Sequence, residues 1–295
     1  MTHMLEDKIT ILLCTCDSYK DLWYPFFKLL DEYWPNNRCK IILNTETDSY
    51  QYGNLNIVSY SLGKAPYGQR MLNHLEKIDT PYTLLLLDDF FLRRPVNTDV
   101  LSNILEEMDK DHNIGALYCD KNDCTTNDSL CDVFYQIKQR APYKLNMQAG
   151  LWRTQTLKKY WQPNDNPWIW EIFVNFTTFN SEDKFYALRD LNDAPIYYGY
   201  NPDGMGVFRG KWVVDDVKPL FDKHGISIDF SKRGEYDPQK AVVRLPIFEV
   251  MPYVFKRIPF KYAISFSFYA VMKRICLFFN KPLKHSNLAE YLGSK

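Results

Sequence analysis

Apolar runs of strand length alternate with amphipathic stretches through the first third of the chain. Ile9-Thr-Ile-Leu-Leu-Cys14 carries apolar side chains on both faces, as a strand buried inside a parallel sheet does. A turn at Asp17-Ser18 and a helix over residues 22–33, ended by Trp34-Pro35, follow. Strands are predicted at 39–43 and 55–59, and a helix at 69–78 with Leu72 and Leu75 on its apolar side. Tyr82-Thr-Leu-Leu-Leu-Leu87 is the strongest strand signal and stops at Asp88-Asp89. A helix over 98–108, with Thr98 as its N-cap, leads to a strand at 114–118. Strand and helix in alternation predict an α/β sheet with right-handed crossovers.

The second half is less periodic. Residues 148–152 read as a strand entering a helix at Thr154, and Asn166-Pro167 introduces a helix over 168–179. Residues 197–209 read as an ordered loop rich in Tyr, Gly and Asn, and 215–223 as a further helix.

Composition narrows the class. The 295 residues hold 36 Lys+Arg and 36 Asp+Glu, so a generally basic nucleic-acid binder is excluded. With 46% hydrophobic residues the chain is not of the disordered type. Seven scattered cysteines fit reduced thiols in a cytosolic protein better than a disulfide scaffold. Cys119, Cys124 and Cys131, with His112 nearby, lack the paired spacing of a zinc site. The polar start is no signal peptide, and no run reaches the roughly 20 apolar residues of a membrane span.

The zero net charge conceals an asymmetry. Residues 241–295 hold nine Lys/Arg against two acids, with eleven aromatics interleaved. That mixture suits a helical segment lying on an anionic membrane surface, or equally a helical appendage packing its rings onto the core.

Chemistry concentrates at Asp88-Asp89. Two adjacent carboxylates at the end of a buried strand repel each other unless a cation or a donor offsets their charge. Ligands of open α/β sheets bind beyond the carboxyl ends of strands. A divalent ion bridging phosphate oxygens would supply the offset; alternatively one Asp caps a turn and the other faces water.

An apolar first strand with a polar end, a helix carrying Arg70 and Asn73, and a hydrophobic strand ending in Asp-Asp resemble the nucleotide-sugar domain of GT-A glycosyltransferases. The likeness is to the inverting, family-2-like enzymes of bacterial surface polysaccharide synthesis, and covers roughly residues 8–215. It implies a mixed, mostly parallel sheet flanked by helices. It implies a catalytic domain over 1–240, with a nucleotide-sugar half (1–118) and an acceptor half (119–240), followed by the 241–295 appendage. By resemblance, Thr15, Asp17, Asn44 and Glu46 hold the nucleobase and ribose, Arg70 matches the family's Arg before the metal motif, and Asp88-Asp89 matches the DxD motif. The usual second carboxylate position is Phe90, so Asp89 is the expected ligand for a divalent Mg or Mn ion. If metal is lacking, protein cations must stabilise the leaving diphosphate. Arg209 and Lys211 resemble those of the loop that closes over it.

An inverting transferase needs a base for the acceptor hydroxyl. Asn166-Pro-Trp-Ile-Trp-Glu171 resembles the family's acceptor-side helix start, which implies Glu171 as base and Trp168 and Trp170 as acceptor-stacking rings. Glu182-Asp183 is the competing acidic pair, and Asp120 and Asp123 are weaker acceptor-side candidates. His74 and His224 read as structural or solvated.

The expectation is a cytoplasmic enzyme, peripheral on the membrane's inner face. It would move a sugar from a nucleoside diphosphate donor, UDP-linked by preference, to a glycan or lipid-linked acceptor. A nucleotidyltransferase would need a Gly-rich basic loop after the first strand, and 15–19 is neither Gly-rich nor strongly basic. A non-catalytic glycan-binding or assembly protein is compatible with the aromatic content.

Overall fold

The computed structural model describes residues 5–141, 143–199 and 206–237, with Phe255, Lys256, Phe260, Ala263, Ile264, Ser267 and Phe268 beyond them. Apart from those positions the expected segment 241–295 lies outside the described residues, as does 200–205 of the expected loop.

A short helix α1 (Leu5–Lys8) precedes β1 (Ile9–Cys14), and a 3-10 turn (Asp17–Leu22) leads to α2 (Trp23–Tyr33). Then come β2 (Lys40–Leu43), β3 (Ile57–Ser59), α3 (Tyr67–Leu75), β4 (Tyr82–Leu87), α4 (Thr98–Lys110) and β5 (Ile114–Lys121). The hairpin β6 (Thr125–Leu130)–β7 (Phe134–Ile137) is followed by β8 (Gly150–Arg153), α5 (Thr154–Tyr160) and α6 (Pro167–Ile172). A 3-10 stretch (Val174–Asn180), β9 (Lys184–Leu188), a 3-10 turn (Leu191–Asp193), the hairpin β10 (Val207–Phe208)–β11 (Lys211–Trp212), α7 (Val214–Lys223) and a 3-10 turn (Phe230–Lys232) follow.

Nine strands form one sheet in the order β3-β2-β1-β4-β8-β5-β9-β7-β6. β1 pairs in parallel with β2 and β4, β2 with β3, and β5 with β9, while β8 and β7 run against their neighbours. The sheet is therefore mixed and mostly parallel in strand direction, as expected. Because β8 inserts between β4 and β5, the strands on either side of it share one continuous sheet.

Alternation along the strands builds two cores. Ile9, Ile11 and Leu13 of β1 and Leu84 and Leu86 of β4 pack with α2, α4 and α7. Leu12, Cys14 and Leu85 pack on the other face with α3, α5 and α6. Both faces are thus covered, which is why these strands read as unbroken apolar runs.

Three local expectations are corrected. The N-cap of α4 is Asn97, whose Oδ1 accepts the Val100 N–H at 3.1 Å, rather than Thr98. The helix expected over 168–179 stops at Ile172 and continues as a 3-10 stretch. There Asn175 accepts the Leu145 N–H and donates to the Ala141 carbonyl, and this tertiary bonding outweighs continuation of the α-helix. The end of the expected 197–209 loop is the first strand of a hairpin, whose turn residues Arg209 and Gly210 have φ of 52° and 76°. Two left-handed residues are the requirement of a two-residue type I′ turn.

Candidate active site

The carboxyl ends of β1, β2 and β4 lie side by side, since these strands are parallel neighbours in register. The polar residues that end each strand therefore meet. Asp17 accepts the backbone N–H groups of Glu46 (2.9 Å) and Thr47 (3.0 Å) and the Thr47 hydroxyl (2.7 Å). The Asp17 N–H donates back to Glu46 Oε2 at 2.7 Å. Partial burial alone would raise the Asp17 pKa, but the Thr47 hydroxyl and the amides outweigh it and hold the pKa at about 2.

Glu46 also takes an ion pair from Arg70 at 2.8 Å. Arg70 is buried on α3, donates to the Asn44 carbonyl at 3.0 Å, and stands 5.5 Å from the Tyr67 ring centroid. Asn44 is fully buried; its Nδ2 contacts Met71 Sδ, while its Oδ1 and Arg70 Nε have no protein partner. Buried polar atoms of that kind are costly unless a ligand or water meets them. Asp17, Asn44, Glu46 and Arg70, chosen from three separate segments, thus form one bonded network.

Thr15 ties the end of β1 to the acidic pair. Its hydroxyl accepts the Trp23 indole N–H at 2.8 Å and donates to Asp88 Oδ2. Asp88 is buried, and burial followed by the neighbouring Asp89 charge raises its pKa well above the carboxylate range. Asp89 is partly exposed, and burial lifts it to about 7. Among the described residues no ion pair within 4 Å reaches either carboxylate; the positive charge that acts on both is that of Arg233.

Arg233 was missed by the sequence reading. It donates to both oxygens of Asp21, to the Gly210 carbonyl (3.3 Å) and to the Ser18 carbonyl (3.2 Å), and lies 4.4 Å from the Tyr19 ring centroid. It thereby joins the turn after β1 to the β10–β11 hairpin, across 212 residues of sequence. No local spacing announces such a contact.

The hairpin sits directly on the acidic pair. The Val207 N–H donates to the Asp89 carbonyl at 3.2 Å, and a Cβ on Gly206 would lie 1.8 Å from that oxygen. Arg209 and Lys211 are exposed on this hairpin, with the Arg209 guanidinium 5.1 Å from the Phe208 ring centroid.

Glu171 is on α6. Its Oε1 accepts the Met147 N–H at 2.7 Å, and burial raises its pKa to about 7. Trp168, one turn earlier, is 60% exposed. Trp170 is fully enclosed: it stacks on Trp161 at 5.0 Å and donates its indole N–H to the Tyr160 carbonyl. The acceptor role expected for Trp170 is therefore corrected to a core role. Residues two apart on a helix point to different faces, so the two tryptophans could not both line one site.

The competing acid Asp183 is engaged by Lys159 at 2.7 Å and by the Tyr160 hydroxyl. Asp123 pairs with Lys121 at the surface. His74 is buried, with Nδ1 at 2.8 Å from the Arg70 carbonyl, and His224 pairs with Glu32. Among the described residues no three His, Cys, Asp or Glu side chains gather into a metal cage.

Fold and site together define a mixed α/β protein with its polar side chains gathered at the carboxyl ends of adjacent parallel strands. No protein-family model and no curated protein matches the sequence. Among solved structures the chain is similar to S. aureus TarS 1-349 in complex with UDP-GlcNAc, at 14% identity and a TM-score of 0.44, covering 77% of this chain and 69% of that one. In another structure of TarS 1-349 the match has 14% identity and a TM-score of 0.42, covering 62% of this chain and 58% of that one. It is also similar to the mannosyltransferase PcManGT from Pyrobaculum calidifontis in complex with GDP-Man and Mn2+, at 10% identity and a TM-score of 0.41, covering 62% of this chain and 54% of that one. These likenesses are distant, and the functional reading stands on the site's own residues.

Proposed function

We propose that the protein is a glycosyltransferase that moves a sugar from a nucleoside diphosphate donor to a glycan or lipid-linked acceptor. The observation that carries this reading is the bonded network of Asp17, Asn44, Glu46 and Arg70 beside Thr15 and Asp88. Its part-exposed carboxylates, Asp17 and Glu46, offer acceptors of the kind ribose hydroxyls require.

Asp88 and Asp89 then lie where the diphosphate and sugar emerge from the nucleoside pocket. Two carboxylates are too few for a protein cage, but they suit an ion whose other ligands are phosphate oxygens and water. Asp89 is the freer ligand, since Thr15 occupies Asp88 Oδ2. A divalent ion bound there would neutralise charge on the leaving diphosphate. Arg209 and Lys211 carry the protein's own positive charge toward the same group, on a hairpin fixed to the Asp89 backbone.

The reaction we infer is a single displacement with inversion. The acceptor oxygen attacks the anomeric carbon, the bond from that carbon to the diphosphate oxygen breaks, and the nucleoside diphosphate leaves with the electron pair. Glu171 takes the acceptor hydroxyl proton. Its pKa of about 7 suits a base that must gain and release a proton near neutrality.

The basic aromatic segment 241–295 is proposed to hold the enzyme on an anionic membrane surface, on the cytoplasmic side. Exposure of Phe255, Phe260, Ile264 and Phe268 supports this. Among the described residues no helix is long and apolar enough to cross a membrane. Flotation with vesicles containing phosphatidylglycerol tests the point. The full chain should float and a chain cut before Ala241 should not; equal flotation removes the role.

Thermal shift with UDP and GDP tests the donor site. Ligand at 100 times its Kd stabilises by about 2.7 kcal/mol, a shift readily read. No shift with either nucleotide would contradict the proposal.

A further inference from the structure

Backbone meets backbone where α3, which carries Arg70, reaches the turn at 162–165 that leads into α6 and Glu171. The Gly68 N–H donates to the Asp165 carbonyl at 2.8 Å. A Cβ on Gly68 would lie 2.1 Å from the Gln162 carbonyl oxygen and 2.9 Å from the Asp165 nitrogen and oxygen. Gly68 sits inside a regular helix, so its backbone angles do not call for glycine; the lack of room does.

The turn is closed on itself. The Gln162 carbonyl accepts the Asp165 N–H at 3.0 Å, and Asp165 Oδ2 accepts the Gln162 N–H at 2.8 Å. Asp165 is buried. The next residue, Asn166, caps α6: its Oδ1 accepts the Ile169 N–H at 2.9 Å and its carbonyl the Trp170 N–H at 2.9 Å. The place of the turn therefore sets where α6 begins, and Glu171 follows within the same short helix.

A row of rings runs beside this contact. The Tyr67 ring lies 5.5 Å from the Arg70 guanidinium and 5.7 Å from the Trp161 ring. Trp161 stacks at 5.0 Å on Trp170, the residue before Glu171. Arg70 in turn holds Glu46 and the Asn44 carbonyl. Two paths, one of backbone and one of rings, thus join the nucleoside network to α6.

We propose that Gly68 is a positioning residue, whose missing side chain lets α3 close on the 162–165 turn and so holds Glu171 in register with the donor. This role rests on the transferase reading. An added methyl forces the two backbones apart by about 1 Å, and a misplacement of that size can cost about 10²-fold in rate. Arg70 keeps its bonds to Glu46 and the Asn44 carbonyl, neither of which involves the turn, so nucleotide affinity should survive.

The test compares the full-length parent with Gly68→Ala, Asp165→Ala and, as a control for lost stability alone, Gly225→Ala, at a temperature where the variants are folded. In Gly68→Ala the residue-68 amide should exchange its hydrogen about tenfold faster or more, because its bond to the Asp165 carbonyl opens. Its kcat for nucleoside diphosphate release from UDP- or GDP-sugars should fall about 10²-fold, with donor KM within about threefold. The thermal shift with UDP or GDP should match the parent's. Asp165→Ala loosens the turn without a collision and should lower kcat about tenfold, which carries the test if Gly68→Ala does not fold. Gly225→Ala should keep the parent kcat. An unchanged kcat in Gly68→Ala or Asp165→Ala, a rise in KM in place of the fall in kcat, or an equal loss in Gly225→Ala overturns the role. If UDP or GDP shifts the parent and turnover is seen, such a result removes the role of Gly68 alone. If neither nucleotide shifts the parent, the transferase reading fails and this role falls with it.

Discussion

The Thr15 hydroxyl donates to Asp88 Oδ2, and its single hydrogen is free to do so because the Trp23 indole N–H donates to the same hydroxyl oxygen. A residue at the end of β1 thereby fixes the acidic residue at the end of β4 and favours its charged form against burial. Thr15→Val keeps the shape but strands a buried indole N–H and a carboxylate oxygen. It should cost about 2–3 kcal/mol in denaturant unfolding, whereas Thr15→Ser should cost less than 1 kcal/mol. Equal behaviour of the two variants would show that the hydroxyl does not link the strands.

Glu171 shares the pH dependence with Asp89, which burial also lifts to about 7. The Glu171 carboxylate form is the base, so the rate should rise with pH through about 7 and level above it. Stability runs the other way. Between the unfolded pKa of 4.5 and the folded value of about 7, the folded chain keeps a proton that the unfolded chain has lost, so stability falls as pH rises through that window. Glu171→Gln should lower transfer by roughly 10²–10⁴-fold. It should retain nucleotide binding and raise the Tm measured at pH 8 relative to the parent. Loss of activity together with lower stability at pH 8 would mark Glu171 as structural.

Gly206 and Gly225 separate strain from collision. Both have positive φ, 57° and 61°, but a Cβ on Gly206 meets the Asp89 carbonyl while one on Gly225 meets nothing within 4 Å. Gly225→Ala should cost about 1–2 kcal/mol from backbone conformation alone. Gly206→Ala should cost more, because the hairpin must leave Asp89, and should lower turnover as well. Calorimetry with turnover on both variants checks the pair.

Arg70→Met removes the guanidinium from Glu46 and from the Asn44 carbonyl while keeping the aliphatic length. Leaving a largely buried carboxylate unpaired should cost about 3 kcal/mol. Nucleotide binding should fall with it, and adding Glu46→Gln should recover part of the stability but not the binding. Recovery of both would place the nucleotide elsewhere.

The strands that were legible are those buried on both faces. The apolar runs of β1 and β4 leave no alternative, and the acids ending β4 announce a site because a doubly buried strand has little other use for them. The hairpin β6–β7 was not legible, because the Thr125–Leu130 strand lies at the sheet edge and is almost wholly polar. Thr15, Asp17, Asn44, Glu46 and Arg70 were named through a resemblance, and their bonded contacts follow from parallel register that no single segment encodes. Arg233 was not legible, since it acts on the turn after β1 from the far end of the described chain. Helical spacing alone sets one of Trp168 and Trp170 aside, and burial makes that one Trp170.

The most direct measurement is release of nucleoside diphosphate from a panel of UDP- and GDP-sugars incubated with the full chain. Release from at least one donor, accelerated by a saccharide acceptor and abolished by Glu171→Gln, is the predicted result. Absence of release from every donor, with no nucleotide bound, would contradict the account.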